Sequence, residues 1–218
     1  MMKGKRITFT GAHGTGKTTL QMKSMDLLIG VEKTDLGRGT TRQILSSIHE
    51  EYMEEFKPTN ELELACAFAR RIKCLQTNPE LYVVSDRWAL DELSYTMVKM
   101  DHQTKAINSS NQILGIDGNP VFTQAHGELL MTQAAFQVLL NQVAIEKDYW
   151  DFIYHTPIYD GVEIEEDGIR PKEKLYQKEV DSALQTLIQQ LQLDVVTVPV
   201  KFEDSFEFLE SESRKWLA

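Results

Sequence analysis

Apolar residues follow two alternating patterns along this chain, one typical of strands and the other of helices. Short runs rich in β-branched and aromatic residues predict buried strands over 5–10, 81–85, 151–156 and 194–200. Helical spacing predicts helices over 17–29, 60–77, 91–100, 128–147 and 203–216, with one more before the last strand. Strands that alternate with helices form a mainly parallel sheet covered on both faces. The pattern therefore predicts an α/β fold.

Two stretches between the strands differ in periodicity. The helix over 60–77, with Asn60 as its expected N-cap, has an apolar stripe that is expected to contribute to the core. The stripe consists of Leu64, Ala65, Phe68, Ile72 and Leu75. Residues 102–127 have little periodicity and contain many Asn, Gly, Ser, Gln and His residues. This composition predicts a long loop or a mobile insertion.

Composition and charge narrow the class of protein. The 218 residues suit one domain over 1–218, and 42% hydrophobic with 26% charged residues is typical of a soluble folded protein. The net charge of −10 argues against a general surface for duplex DNA, which needs a stripe of lysine and arginine. No apolar run is long enough to span a bilayer, and no signal peptide is recognisable before the first strand. We therefore expect a cytoplasmic protein without a membrane partner.

The cysteines and histidines do not predict a disulfide or a zinc site. Cys66 and Cys74 lie eight residues apart on one predicted helix, which separates them by about 12 Å at about 1.5 Å per residue. Because a disulfide spans at most roughly 7 Å, we expect two buried thiols. The five histidines show no spacing typical of metal ligands.

The segment after the first predicted strand has the strongest functional signal. GAHGTGKT at 11–18 matches the phosphate-loop pattern G-x-x-x-x-G-K-[ST] between a strand and a helix. Such a loop points backbone amides at phosphate oxygens, and the helix that follows adds the positive end of its dipole. Lys17 is expected to reach the β- and γ-phosphates of ATP, and Thr18 to ligate Mg²⁺. The expected nucleotide contacts are Gly11, His13, Gly14, Thr15, Gly16, Lys17, Thr18 and Thr19. The alternative is a glycine turn that only links a strand to a helix.

A second polar pair, Asp86 and Arg87, follows the strand predicted at 81–85. If that strand lies beside the first, Asp86 is placed to hold Mg²⁺ or to take a proton from an attacking hydroxyl. Arg87 would bind a second phosphate with both arms of its guanidinium. The alternative is an aspartate that only caps the next helix, beside an arginine on the surface.

Three segments resemble thymidylate kinases: the phosphate loop, AFARR at 67–71 and SDRWALDELSY at 85–95. In that family a phenylalanine-containing helix precedes a strand, an Asp-Arg-Tyr motif and a tyrosine eight residues after the arginine, the position of Tyr95 here. TDLGRGTTRQIL is loosely similar to the family's glycine-rich loop. YDGVEIEEDGIRPKEKLYQKEVD is more similar to phage and bacterial P-loop kinase-like proteins akin to nicotinamide riboside kinases.

The resemblance implies a three-layer P-loop NTPase sandwich with a helical lid over 160–178. By position, Arg170 would close over the transferring phosphoryl group, so that the catalytic set would be Lys17, Asp86, Arg87 and Arg170. The acceptor would be bound by Phe68, Arg71, Arg87 and Tyr95, with Arg42 as a candidate phosphate clamp. Plainer interpretations stay open. Phe68 and Tyr95 could simply pack against other side chains. Arg70 and Arg71 could lie on the solvent-exposed face of a helix, and Arg170 could be a charged loop residue without a catalytic role.

These parts predict an ATP- and Mg²⁺-dependent kinase of a nucleoside monophosphate, with a deoxynucleotide as the preferred acceptor. Phosphoryl transfer needs mainly positioning and charge neutralisation, and a lid excludes water as a competing acceptor. One alternative is a kinase acting on a free hydroxyl of a nucleoside, a ribosyl-nicotinamide or a modified base in DNA, with Asp86 as general base. Another is a P-loop ATPase or nucleotide switch that acts on a partner. A homodimer also stays open.

Overall fold

The computed structural model describes residues 4–36, 60–109, 123–159 and 174–218. Its strands are β1 (Arg6–Thr10), β2 (Lys33–Asp35), β3 (Tyr82–Ser85), β4 (Phe152–His155) and β5 (Val196–Thr197). Its α-helices are α1 (Lys17–Leu27), α2 (Asn60–Gln76), α3 (Ala89–Ser109), α4 (Gln124–Glu146), α5 (Lys174–Gln190) and α6 (Phe202–Trp216). A short 3₁₀ helix, Lys147–Tyr149, follows α4.

The five strands form one parallel sheet in the order β2-β3-β1-β4-β5. The central strand β1 pairs with β3 on one side, where Thr8 lies opposite Ser85, and with β4 on the other, where Thr10 lies opposite His155. The carboxyl ends of these three strands therefore meet at one edge of the sheet. The strand order reverses direction at β1, which is where ligands bind in open parallel sheets.

The alternation of side chains along the strands divides the core into two parts. Val83 and Ile153 point to a cluster that includes buried residues of α2, α3, α4 and α5. Val84 and Tyr154, one position further along each strand, point to the opposite cluster with residues of α1 and α6. Helices thus cover both faces of a parallel sheet. The predicted three-layer α/β architecture is confirmed for the described residues.

The structure differs from the sequence prediction at three places. The polar triplet Lys33–Asp35 forms the edge strand β2, which hydrophobic periodicity did not identify. The stretch 102–127 is not a loop throughout, because 102–109 continue α3 and 124–127 begin α4. The strand expected over 194–200 shrinks to Val196–Thr197 at the other edge of the sheet.

The burial predicted for the stripe on α2 is wrong except at Leu64, which is half-buried and packs against the core. Phe68, Ile72 and Leu75 are 45, 53 and 66% exposed, and Ala65 is exposed as well. The face that packs inward consists of Cys66, Ala67, Arg70 and Cys74. Neither cysteine forms a disulfide and both are buried, as expected, and burial raises the pKa of the Cys74 thiol to about 11. Among the helices of the described residues, none combines the length and the hydropathy that crossing a bilayer requires.

Candidate functional site: the phosphate loop and the Asp-Arg turn

The loop between β1 and α1 has a backbone that only glycine accommodates at several positions. Gly14 and Gly16 adopt the left-handed region with φ of 71° and 73°. A Cβ on Gly16 would lie 2.7 Å from the Phe202 ring, and one on Gly11 would overlap the side chain of Thr156. The three glycines of the motif therefore set the curvature of the loop and let it pack closely on its neighbours.

The side chains of the loop mostly brace it from within. Lys17 begins α1, and its ammonium donates to the carbonyls of Gly11 and Ala12, both at 2.6 Å. The buried Thr15 hydroxyl donates to the Ala12 carbonyl at 2.9 Å. By contrast, Thr18 and Thr19 are exposed on the first turn of α1. The positive charge of Lys17 is thus held inside the loop, at the carboxyl end of β1.

Thr18 and Asp86 come together across the two neighbouring strands. The Thr18 hydroxyl donates to Asp86 Oδ2 at 2.8 Å, although the residues are 68 positions apart in the chain. Both side chains offer hard oxygen ligands of the kind that Mg²⁺ binds, usually with waters and substrate phosphates completing its shell. The pair therefore fits the predicted Mg²⁺ site. Among the described residues, no three His, Cys, Asp or Glu side chains cluster in a way that could hold a metal.

Arg87 is presented by a tight turn at the end of β3. The Ser85 hydroxyl donates to the Arg87 carbonyl at 2.6 Å, which shapes the turn. The half-buried guanidinium lies 6.0 Å from the centre of the Tyr95 ring on α3. Although burial lowers the pKa of Arg87, Tyr95 and the carboxylates of Asp91, Glu92 and Asp86 raise it above its ordinary value. Arg87 is therefore a permanent cation that interacts with Asp86, and its ring partner is the tyrosine that the sequence identified.

His13 packs with two tyrosines. Its buried ring lies 6.3 Å from the Tyr95 ring and 6.1 Å from the Tyr176 ring, measured between centroids, and Nδ1 is 3.3 Å from the Tyr95 hydroxyl. The His13 carbonyl accepts a hydrogen bond from Gln177 Nε2 at 2.6 Å. The first turns of α5, which form the end of the predicted lid over 160–178, thus contact the phosphate loop. Residues 160–173, with Arg170, lie outside the described residues, as does Arg42.

Arg70, and not Arg71, is the buried arginine of α2. Arg70 is 4% exposed and forms an ion pair with Glu92 of α3, which is equally enclosed. Glu92 raises the pKa of Arg70 against the lowering effect of burial. Arg71 is half-buried and Phe68 is exposed, so the acceptor contacts predicted for these two residues stay predictions. The buried Arg70–Glu92 pair fixes α2 against α3 beside the Asp-Arg turn.

Asp91 is a further residue that the sequence interpretation did not single out. Its side chain is fully buried, and Oδ1 accepts from the Gly11 amide at 3.3 Å. Its Oδ2 accepts from the Thr10 hydroxyl and from the Trp88 amide, both at 3.1 Å. One carboxylate therefore bonds to the end of β1, to the first amide of the phosphate loop and to the residue after Arg87.

The ionisation of Asp91 predicts a pH dependence of stability. Burial raises its pKa from 3.8 to about 6; Lys17, Arg87 and the Trp88 amide lower it, and Glu92 raises it further. The folded protein therefore holds this proton to a higher pH than the unfolded chain. Its contribution to the free energy of unfolding falls as the pH rises from about 4 to about 6.

Asp91→Asn removes this contribution to the pH dependence. Relative to the variant, the wild-type protein is expected to lose at most about 3 kcal/mol of unfolding free energy between about pH 4 and pH 7. Urea unfolding of both proteins across this range measures the difference. Parallel pH curves would contradict a raised pKa of Asp91.

Comparison with known proteins identifies the fold. No protein-family model matches the sequence, and no curated protein matches it. Several solved structures, however, are similar to this chain. NadR in complex with NR is similar with a TM-score of 0.62 at 13% identity, over 99% of this chain and 51% of that one. This chain therefore spans about half the length of NadR.

Two further structures match over nearly their whole length. Deoxyadenosine kinase from M. mycoides, with the products dCMP and dCDP bound, has a TM-score of 0.58 at 13% identity, over 96% of this chain and 98% of that one. Thymidylate kinase from Candida albicans has a TM-score of 0.60 at 15% identity, over 99% of this chain and 94% of that one. The suspected resemblance is confirmed at the level of the fold, which is that of P-loop nucleoside and nucleotide kinases.

Proposed function

We propose that this protein is an ATP-dependent kinase that transfers the γ-phosphoryl group to a nucleoside monophosphate, with deoxynucleotides as the preferred acceptors. The observation that carries the proposal is the hydrogen bond from Thr18 to Asp86 at 2.8 Å. This bond joins the phosphate loop to the turn that carries Arg87. A donor site and a cation suited to a second phosphate thus adjoin at one edge of the sheet.

On the donor side, the phosphate loop and Lys17 bind the triphosphate. Backbone amides of the loop and the amino end of α1 face the phosphates. The Lys17 ammonium exchanges a bond to the Gly11 or Ala12 carbonyl for the β- and γ-phosphates. Because Lys17 is already enclosed by the loop, this exchange needs little movement of the backbone.

Thr18 and Asp86 would hold Mg²⁺, which neutralises phosphate charge when it is bound. Their oxygens lie 2.8 Å apart at the junction of β1 and β3. The resemblance to P-loop kinases and the oxygen chemistry of the pair both support this assignment.

On the acceptor side, Arg87 binds and orients the acceptor phosphate. A guanidinium offers two parallel donors to a phosphate, and its charge is retained at any physiological pH. Tyr95 limits where the guanidinium lies, since the centre of its ring is 6.0 Å from Arg87 Cζ. Arg87 also lies next to Asp86 in the chain, so that the acceptor phosphate is brought towards the donor phosphates.

A kinase of a free hydroxyl is the second candidate function. It is favoured by the similarity to deoxyadenosine kinase, which is named for a nucleoside, and to NadR in complex with NR. In this case Asp86 would act as the general base for the hydroxyl, and Arg87 would matter less.

A panel of acceptors separates these functions. Transfer of labelled phosphate from ATP with Mg²⁺ is measured for nucleosides, nucleoside monophosphates, a ribosyl-nicotinamide and DNA with modified bases. We expect labelling of nucleoside monophosphates, and of deoxynucleotides above ribonucleotides. Labelling of nucleosides or DNA alone would refute the proposal in favour of the hydroxyl kinase. Strong ATP hydrolysis without any labelled acceptor would instead indicate an ATPase or switch.

A further inference from the structure

Asp91 bonds to two segments that have to be in register for transfer between two bound phosphates. Thr10 and Gly11 belong to β1 and the phosphate loop, whereas Trp88 follows Arg87 at the end of β3. The sheet already pairs β1 with β3. Beyond the ends of both strands, the Asp91 carboxylate and the Thr18–Asp86 bond connect the loop to the turn.

We propose that Asp91 is a positioning residue that fixes the separation between the donor phosphates in the loop and the acceptor phosphate on Arg87. This inference rests on the proposed function. Asp91 contacts neither phosphate in this role. It acts through the Gly11 amide on one side and the Trp88 amide on the other.

The choice of a carboxylate supports a role beyond helix capping. Asp91 is the third residue of α3, where an uncharged glutamine or asparagine would also accept the Trp88 amide, as in a capping box. Those residues carry no charge and avoid the cost of burying one. An asparagine, however, has a single oxygen, whereas Asp91 uses both of its oxygens to reach Gly11 and Trp88 at once.

The cations nearest to Asp91 lie on both sides of the same junction. Lys17 belongs to the phosphate loop and Arg87 to the turn, and both stabilise the ionised carboxylate. The interaction is mutual, because the negative charge of Asp91 raises the pKa of Arg87. The carboxylate is therefore connected by hydrogen bonds and by charge to the residues that hold the two phosphates.

Asp91→Asn tests the proposal, because it keeps the shape of the side chain and removes one of the two accepting oxygens. In-line transfer is sensitive to misplacement of about 1 Å, so kcat is expected to fall roughly 10- to 100-fold. The KM values for ATP and for the nucleoside monophosphate are expected to change by less than about threefold, because the phosphate-binding groups are intact. Steady-state kinetics with each substrate varied in turn measures this split.

Glu146→Gln is the matched control. Glu146 is also a buried carboxylate with a raised pKa, and its Oε2 accepts the Ala89 amide, one residue after Trp88. It has no hydrogen bond to the phosphate loop, since its other bond comes from Gln142. The kcat of the Glu146→Gln variant is expected to stay within about threefold of the wild-type value. An equal loss of kcat in both variants would mean that any neutralised carboxylate at this helix end has the effect, which would overturn the proposal.

Thr10→Val provides a second variant should Asp91→Asn not fold. It removes one donor to the carboxylate without changing the size of the side chain. We expect a smaller fall in kcat, of roughly three- to tenfold, again at nearly constant KM. A folded Thr10→Val protein with wild-type kcat would contradict the proposed positioning role of Asp91.

Amide hydrogen exchange separates a failure of this inference from a failure of the proposed function. In Asp91→Asn, protection is expected to fall at the amide that faces the new NH2 group, that of Gly11 or of Trp88, while the Ala89 amide keeps its protection. This readout does not require turnover. If the wild-type protein phosphorylates no acceptor, the proposed function fails while the exchange data still decide whether Asp91 joins the two segments. Unchanged protection, or reduced protection with wild-type kcat, would overturn the positioning role.

Discussion

Replacing Lys17 by alanine is expected to lower phosphoryl transfer by a factor of about 10² or more, which corresponds to a loss of roughly 3–4 kcal/mol of transition-state stabilisation. The ammonium is enclosed by the loop at the carboxyl end of β1, bonded to the Gly11 and Ala12 carbonyls. Initial rates with saturating ATP, Mg²⁺ and acceptor measure the loss.

The fold is expected to survive this substitution, because the Lys17 ammonium bonds to two carbonyls of the loop itself and the residue belongs to neither of the two large core clusters on the faces of the sheet. Lys23→Ala is the matched control. Lys23 lies on the same helix, is half-buried and pairs with the exposed Glu210 at 3.5 Å, so its loss should leave turnover unchanged. Near-normal turnover of a folded Lys17→Ala protein would show that the loop does not hold the transferred phosphate.

Replacing Arg87 by alanine is expected to lower kcat/KM for the acceptor roughly 100-fold, because a bidentate, charge-assisted contact to the acceptor phosphate is lost. The affinity for ATP is expected to change by less than about threefold, since the donor is held by the opposite side of the junction. Isothermal titration with ATP and steady-state kinetics with varied acceptor measure the two effects separately. Equal losses for ATP and acceptor would contradict the assigned role.

Arg87→Lys refines this test. Lysine retains the positive charge near Asp86, Asp91 and Glu92 but lacks the two parallel donors of the guanidinium. Partial recovery of kcat/KM is expected for a nucleoside monophosphate. If the acceptor is a hydroxyl, the two Arg87 variants should instead behave alike and nearly like the wild type.

The phosphate loop could be assigned from the sequence because its function depends on the local backbone. The glycine spacing, a preceding apolar run and a following helix lie within about 25 residues, and the structure places all three as expected. The Asp-Arg turn was assigned for the same reason, since it directly follows a recognisable buried strand. Its distance to the phosphate loop was only a hypothesis, because strand order is not encoded in any local pattern.

Helix α2 shows where periodicity alone misleads. The residues of its stripe share one face at helical spacing, yet four of the five are exposed, and the buried face contains Cys66, Arg70 and Cys74. An arginine is buried here because Glu92 of α3 neutralises it. Hydropathy cannot detect such a pair, whose members are 22 positions apart in the sequence. Arg71 was assigned by its position in the family resemblance, and its contact with the acceptor stays a prediction; the burial of Arg70 beside it was not predicted.

The sequence by itself determined the alternation of strands and helices, the phosphate loop and the chemical types of the residues that follow two strands. These features follow from contacts between residues close in the chain. Only the tertiary structure decided that β3 lies beside β1, that Thr18 meets Asp86, and that Asp91 bonds to an amide 80 positions away. Such contacts depend on how strands order themselves in the sheet, and they form when burial of apolar surface brings distant segments together.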